Sequence, residues 1–170
     1  GELGLLENTI VIFWSGDHGY TLGENNRYGK WSLSESDVRI PLLVQTPGLA
    51  NPGARVAGIV EAVDMYPTLI ELCDLTAPPQ ELEGFSFVPL LETPDRPWKK
   101  AAFVSWLEPG VTAVKAERYS LYDRRTDFFD ELFDLQTDPL EQVNLINELP
   151  DVAAEMRALL DGGWRAALPM

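Results

Sequence analysis

Apolar and polar positions give the chain two textures, one before and one after about residue 98. In the first, five apolar residues run unbroken from Ile10 to Trp14. They are β-branched or aromatic and flanked by polar residues, which predicts a buried strand. The run stops at Ser15-Gly16, and Asp17 and the single histidine, His18, follow. A strand buried on both faces and ending in Gly-Asp-His-Gly presents polar groups at the carboxyl edge of a sheet, where open α/β sheets bind ligands. The polar, glycine-containing stretch from Ser15 to about Asp37 predicts a long loop of the kind that carries function. Leu42 to Thr46 is a second short apolar strand, ended by Pro47-Gly48. Two such strands joined by a long crossover fit neighbours in a largely parallel sheet. Val56 to Val60 reads as a third short strand. Asp64 is placed to cap a helix reaching about Leu72, with Pro67 in its first turn and Met65, Leu69 and Leu72 on one face. Gly1 to Glu7 has the look of a helix tail feeding the first strand, as in a carboxyl-terminal piece of a longer chain.

From Ala101 onward the apolar runs are short and turn-bounded: 101–107, 111–116, 118–122 and 131–135. That spacing predicts a small antiparallel meander. Pro150 to Asp161 is a helix whose Val152, Met156, Leu159 and Leu160 form a stripe, with Gly162 just past its end. The pattern therefore predicts an α/β fold in two parts, 1–97 holding the sheet with flanking helices and 98–170 a small antiparallel subdomain with a carboxyl-terminal helix.

Composition narrows the function classes. At 170 residues, 45% of them hydrophobic and five of them tryptophan, the chain can bury a real core and is not a disordered segment. Its 27 acidic against 13 basic residues give a net charge of −14, which argues against a nucleic-acid partner. The same balance suits solubility, cation binding or a periplasmic or secreted setting without choosing among them. No apolar run is long enough to span a membrane. One cysteine, Cys73, allows neither an internal disulfide nor a multi-cysteine zinc site, and its apolar neighbours predict a buried, inert thiol.

The candidate chemistry sits after the first strand. Asp17 and His18 can both ligate a divalent cation, the carboxylate favouring hard ions and the imidazole zinc, iron or manganese. Two ligands do not complete a site, and Glu24 and Glu35 in the same loop are possible contributors. Asp17 could instead cap the loop through backbone N–H groups, with His18 a hydrogen-bonded structural residue. Lys30, following Gly29, could hold an anionic sulfate or phosphate and stabilise charge developing on it, or be an ordinary surface lysine. Arg39 could pair with Glu35 four residues earlier if that stretch is helical. No Gly-x-Ser-x-Gly elbow, Walker loop, CxxC or HExxH is present.

These residues resemble a family. Ser15 to Glu24, followed by Gly29-Lys30-Trp31, is similar to the sulfatases of the alkaline-phosphatase-like superfamily, and in look to the iduronate-2-sulfatase-like enzymes, with Gly16 inserted between serine and acid. Arg39-Ile40-Pro41-Leu42 resembles the family's Arg-Val-Pro-Leu strand entry, and Val63 to Leu69 its Val-Asp-(Leu/Ile)-Tyr-Pro-Thr-Leu helix. Leu82 to Ser86 resembles its Leu-Asp-Gly-x-Ser turn, and Glu131 to Leu145 its Glu-Leu-Tyr-Asp-Leu-x-x-Asp-Pro-x-Glu-x-x-Asn-Leu signature. The resemblance implies part of an alkaline-phosphatase-like sheet. It implies Asp17 and His18 as ligands of a divalent ion, usually calcium, and Lys30 as a contact to the sulfate of a sulfated small molecule or glycan. It also implies a formylglycine nucleophile whose aldehyde hydrate attacks sulfur. The family's Cys-x-Pro-x-Arg motif is absent, because Cys73 is followed by Asp74-Leu75-Thr76. The chain is thus expected to be the carboxyl-terminal portion of a sulfatase, partnered by the missing amino-terminal part and inactive alone. Family habit implies a periplasmic, secreted or lysosomal setting. A phosphoester or phosphonate hydrolase of the same superfamily, or a non-catalytic binding module, remains the alternative.

Overall fold

The computed structural model describes residues 3–105, 111–124 and 130–169. The strands in chain order are β1 (Val11–Trp14), β2 (Thr21–Leu22), β3 (Tyr28–Gly29), β4 (Leu42–Gln45), β5 (Ala101–Ser105), β6 (Val111–Ala116), β7 (Tyr119–Arg124) and β8 (Glu131–Asp134). The α-helices are α1 (Glu35–Val38), α2 (Met65–Leu72), α3 (Val88–Glu92) and α4 (Pro150–Ala166). The mixed α/β class is the one the pattern predicts. The chain forms two compact units, one from residues 1–13, 43–99 and 168–170, the other from residues 14–42 and 100–167.

The first unit carries β1 except its last residue and β4 except its first, and these strands pair as neighbours in a two-stranded sheet. The adjacency is the expected one, but the burial is not. Val11 and Phe13 are 41% and 56% exposed and Leu43 60%, so β1 is not buried on both faces. An apolar run becomes a buried strand only where something covers it, and within the described residues this sheet has two strands. Of the stretch expected to be a helix tail, Gly1 and Glu2 lie outside the described residues, and Leu5–Asn8 forms a 3-10 turn. Val56 to Val60 forms no strand, since Gly58 instead packs closely on Leu90 and Trp98.

Helix α2 forms where expected, but Asp64 does not cap it. The Asp64 carboxylate turns the other way, accepting from the amides of Glu61 at 2.8 Å and Phe85 at 2.7 Å. It also takes the Lys99 ammonium at 2.7 Å, which reaches Glu61 at 2.9 Å. Gly84 is fixed by the same turn, because a Cβ there would lie 1.8 Å from the Val63 carbonyl oxygen. Cys73 is exposed rather than buried, because it sits at the carboxyl cap of α2, past the apolar face.

The second unit is built on the antiparallel sheet β5-β6-β7-β8, the meander the short runs predict. Trp106 and Leu107 of the expected first strand lie outside the described residues. Alternation sends Val114, Leu121 and Leu132 to one face, where Ala153 and Met156 of α4 cover them. Ala113, Tyr122 and Phe133 point to the opposite face and pack with Leu33. Helix α4 runs beyond Asp161, and its backbone breaks at Gly163 (φ 71°) rather than at Gly162.

Candidate active site

The stretch from Ser15 to Asp37 is more structured than a loop. Thr21 pairs with Gly29 and Leu22 with Tyr28, making the β2–β3 hairpin. Its tip closes through Gly23 N–H to the Arg27 carbonyl at 2.9 Å and through Leu22 N–H to the Glu24 carboxylate at 2.6 Å. Hydrogen bonds from its own and the Leu22 amide hold the Glu24 carboxyl below the usual range. Asn25 and Asn26 carry left-handed φ values of 52° and 55°, which asparagine tolerates.

Asp17 and His18 lie between β1 and this hairpin. His18 Nδ1 is 2.7 Å from the carbonyl oxygen of Gly19. A carbonyl only accepts, so Nδ1 carries a hydrogen and Nε2 is the ring atom left facing Asp17. Nε2 lies 3.5 Å from Asp17 Oδ2, and the Asp17 carboxylate is 86% exposed. A ring nitrogen and a carboxylate, both potential cation ligands, thus stand side by side. Lys30 is exposed in the bend immediately after β3, with its ammonium 5.9 Å from the centroid of the Trp31 ring. Trp31 adopts φ 102°, an outlying backbone state for an aromatic residue.

Helix α1 links these two segments. The Gly19 amide donates to the Asp37 carbonyl at 2.7 Å, and a Cβ on Gly19 would lie 1.9 Å from the Ser36 carbonyl oxygen. Only glycine permits that approach. The buried Asp37 carboxylate accepts from the amide and hydroxyl of Ser32, at 2.8 and 2.6 Å, two residues after Lys30. One short helix therefore grips the residue after His18 and the segment after Lys30.

The other acids expected in the loop do not join Asp17 and His18. Glu24 is spent on the hairpin tip. Glu35 pairs with Lys115 at 3.2 Å and with Arg39 at 3.7 Å, the latter being the expected helical pair. Among the described residues, no three His, Cys, Asp or Glu side chains form a metal-binding group.

Lys115, Tyr122 and Glu141 escaped the sequence reading, although their placement is specific. Lys115 is buried on the Leu33 face of the sheet, and its ammonium contacts Glu141 at 3.0 Å and Ser120 at 3.0 Å. Tyr122 donates to Glu141 at 2.7 Å and sits 3.1 Å from the Leu33 carbonyl. Burial, and next the Glu141 charge, push the Tyr122 phenol pKa upward, so it stays protonated. The signals available were a lysine at an inward position of a strand alternation and a glutamate inside the 131–145 signature.

The family model described as the carboxyl-terminal part of N-sulphoglucosamine sulphohydrolase matches residues 23–162. Arylsulfatase K of Canis lupus familiaris is 34% identical over 164 residues, covering 89% of this chain and 30% of that protein. N-acetylglucosamine-6-O-sulfatase of Bacteroides thetaiotaomicron is 29% identical, over 86% of this chain and 28% of its own length. Among solved structures, BT4656 in complex with its substrate D-glucosamine-2-N,6-O-disulfate superposes with a TM-score of 0.84 and 27% identity, over 95% of this chain and 35% of that one. The phosphonate monoester hydrolase of Agrobacterium radiobacter gives 0.80 at 25% identity, over 97% and 36%. The chain spans about a third of the length of these relatives. With the model matching 140 of its 170 residues (23 to 162), the chain belongs to the sulfatase family of the alkaline-phosphatase-like superfamily and corresponds to its carboxyl-terminal part.

Proposed function

We propose that this chain is the carboxyl-terminal portion of an enzyme that hydrolyses sulfate esters, with Asp17 and His18 holding a divalent cation and Lys30 contacting the sulfate. The observation that carries the reading is the juxtaposition, at 3.5 Å, of His18 Nε2 and the exposed Asp17 carboxylate. Calcium, the family's usual ion, takes six to eight oxygen-rich ligands, roughly speaking, so these two donors would be one side of a shell completed by another part of the protein. A bound cation would draw charge from the sulfate oxygens as the S–O bond breaks. The Lys30 ammonium adds a second positive charge at the same group. Formylglycine, supplied from outside this chain, would provide the nucleophile. The work of these residues is to orient the sulfate and stabilise its charge, and the chain alone is expected to be inactive.

A glycan sulfate is the favoured substrate, in keeping with the sulfated glucosamine bound by BT4656. The similarity to a phosphonate monoester hydrolase favours one second reading, phosphonate or phosphate monoester hydrolysis on the same scaffold. Calorimetric calcium titration of the longer enzyme, together with turnover of sulfate and phosphonate monoesters, tests both. Asp17→Asn and His18→Ala should weaken calcium binding, and Lys30→Met should lower turnover with calcium affinity intact. Unchanged calcium affinity in both metal-site variants would refute the metal assignment. Preference for the phosphonate ester would transfer the chemistry to the second reading.

A further inference from the structure

The Lys115–Glu141–Tyr122 cluster lies outside the residues assigned to chemistry, yet it is built like a joint. Glu141 is 1% exposed and its backbone sits at φ 55°, a conformation unfavourable for glutamate. A turn holds it there: the Glu141 amide donates to the Asp138 carbonyl at 3.1 Å, and the Gln142 and Val143 amides donate to the Asp138 carboxylate at 2.7 and 2.8 Å. The Glu141 carboxylate then makes three contacts at once. Oε1 takes the Lys115 ammonium at 3.0 Å, and Oε2 accepts from the Tyr122 hydroxyl at 2.7 Å and from the Glu35 amide at 2.8 Å.

Glu35 is the first residue of α1, and its carboxylate meets the same Lys115 ammonium at 3.2 Å. The start of α1 is therefore fixed by its backbone to Glu141 and by its side chain to Lys115 of the sheet. Its other end grips the Gly19 amide and Ser32 through Asp37. A continuous series of short polar contacts runs from the sheet, through α1, to the residues flanking His18 and Lys30. Buried charged hydrogen bonds of this kind are rigid because losing one partner strands the other.

We propose that Glu141 and Lys115 are positioning residues, which set the Asp17–His18 segment and the Lys30 segment relative to each other through α1. Their effect on catalysis rests on the sulfatase reading above, whereas their effect on the loop does not. Hydrogen exchange on this chain separates the two. In Glu141→Ala the Gly19 and Ser32 amides should exchange about tenfold faster or more, while amides of β6 and β7 keep their protection. Glu141→Gln keeps an acceptor for Tyr122 and the Glu35 amide, so it should recover part of the protection. Tyr122→Phe keeps the ring in the core and removes the bridging hydroxyl, giving a smaller loosening of the same two amides should the alanine variant not fold. Unchanged exchange at Gly19 and Ser32, or equal acceleration throughout β6 and β7, would overturn the proposal. In the longer enzyme, Glu141→Gln should lower kcat and calcium affinity less than Glu141→Ala does. If the enzyme turns over no sulfate ester at all, the sulfatase reading fails while the exchange result still decides the positioning role.

Discussion

The β1–β4 sheet and the four-stranded sheet are made of similar sequence and end in opposite conditions. In the β1–β4 pair, exposed and half-buried residues alternate, and Phe13 and Leu43 stand more than half in water. In the four-stranded sheet, Val114, Leu121 and Leu132 are fully buried against α4, and the opposite face is filled by Leu33 and the Glu141 cluster. The unit holding β1 and β4 is instead tied by a buried ionic knot, Lys99 with Asp64 and Glu61. Strand composition is therefore not what separates the two sheets. One has its covering elements within the described residues, and the other has an open apolar surface of the kind that marks an interaction face.

Breaking the knot should give the largest effect. Asp64→Ala strips Lys99 of its closest partner and removes the carboxylate that accepts from the amides of Glu61 and Phe85. Removing one member of a buried pair costs about 3–5 kcal/mol. Urea unfolding should show the loss in that unit, and a loss under about 1 kcal/mol would mean the knot is solvated. Next in size is Leu132→Ala, at a position 0% exposed in the closed sheet. A cost of about 2–5 kcal/mol is expected by the same measurement.

What the sequence revealed depended on how local the cause was. Val111–Ala116 was legible to the residue because Pro109-Gly110 and Glu117-Arg118 bound a short apolar run. The β2–β3 hairpin was not, since two-residue strands leave no period to detect. Burial of Ile10–Trp14 was overestimated because apolar character reports what a strand could cover, not what covers it. Asp17 and His18 were visible as neighbours in sequence, and Lys30 through its setting after Gly29. The Glu35–Glu141 contact spans 106 residues, a distance no local pattern reports. The 131–145 signature marked the segment without disclosing the role of each residue. Asp138, Glu141 and Asn144 each fix a separate turn or strand end there.

Acid should loosen the closed sheet by a smaller amount. Asp134 is held below the ordinary carboxylate range, first by hydrogen bonds from Arg118, which lies 2.8 Å away. A carboxyl with a lowered folded-state pKa stabilises the fold above its unfolded value, near ~4, and that contribution disappears as pH falls through the folded-state value. The urea midpoint should therefore be flat from about pH 7 to pH 5 and decline below ~4. Asp134→Asn should flatten part of the decline, and an unchanged acid slope would assign it to other carboxyls.

The smallest effect in this chain should come from its most conspicuous apolar side chain. Phe13 is 56% exposed, so truncating it removes little buried surface. Phe13→Ala should shift stability by no more than about 0.5 kcal/mol here, as surface substitutions do. The contrast with Leu132 is a contrast of cover. If another part of a longer enzyme packs over β1 and β4, the same substitution there becomes a core truncation costing about 3–5 kcal/mol. Measuring Phe13→Ala in both settings turns the exposed face into a quantity. A large cost only in the longer protein identifies the face as an internal interface. A small cost in both would leave Phe13 in water and assign the face no packing role.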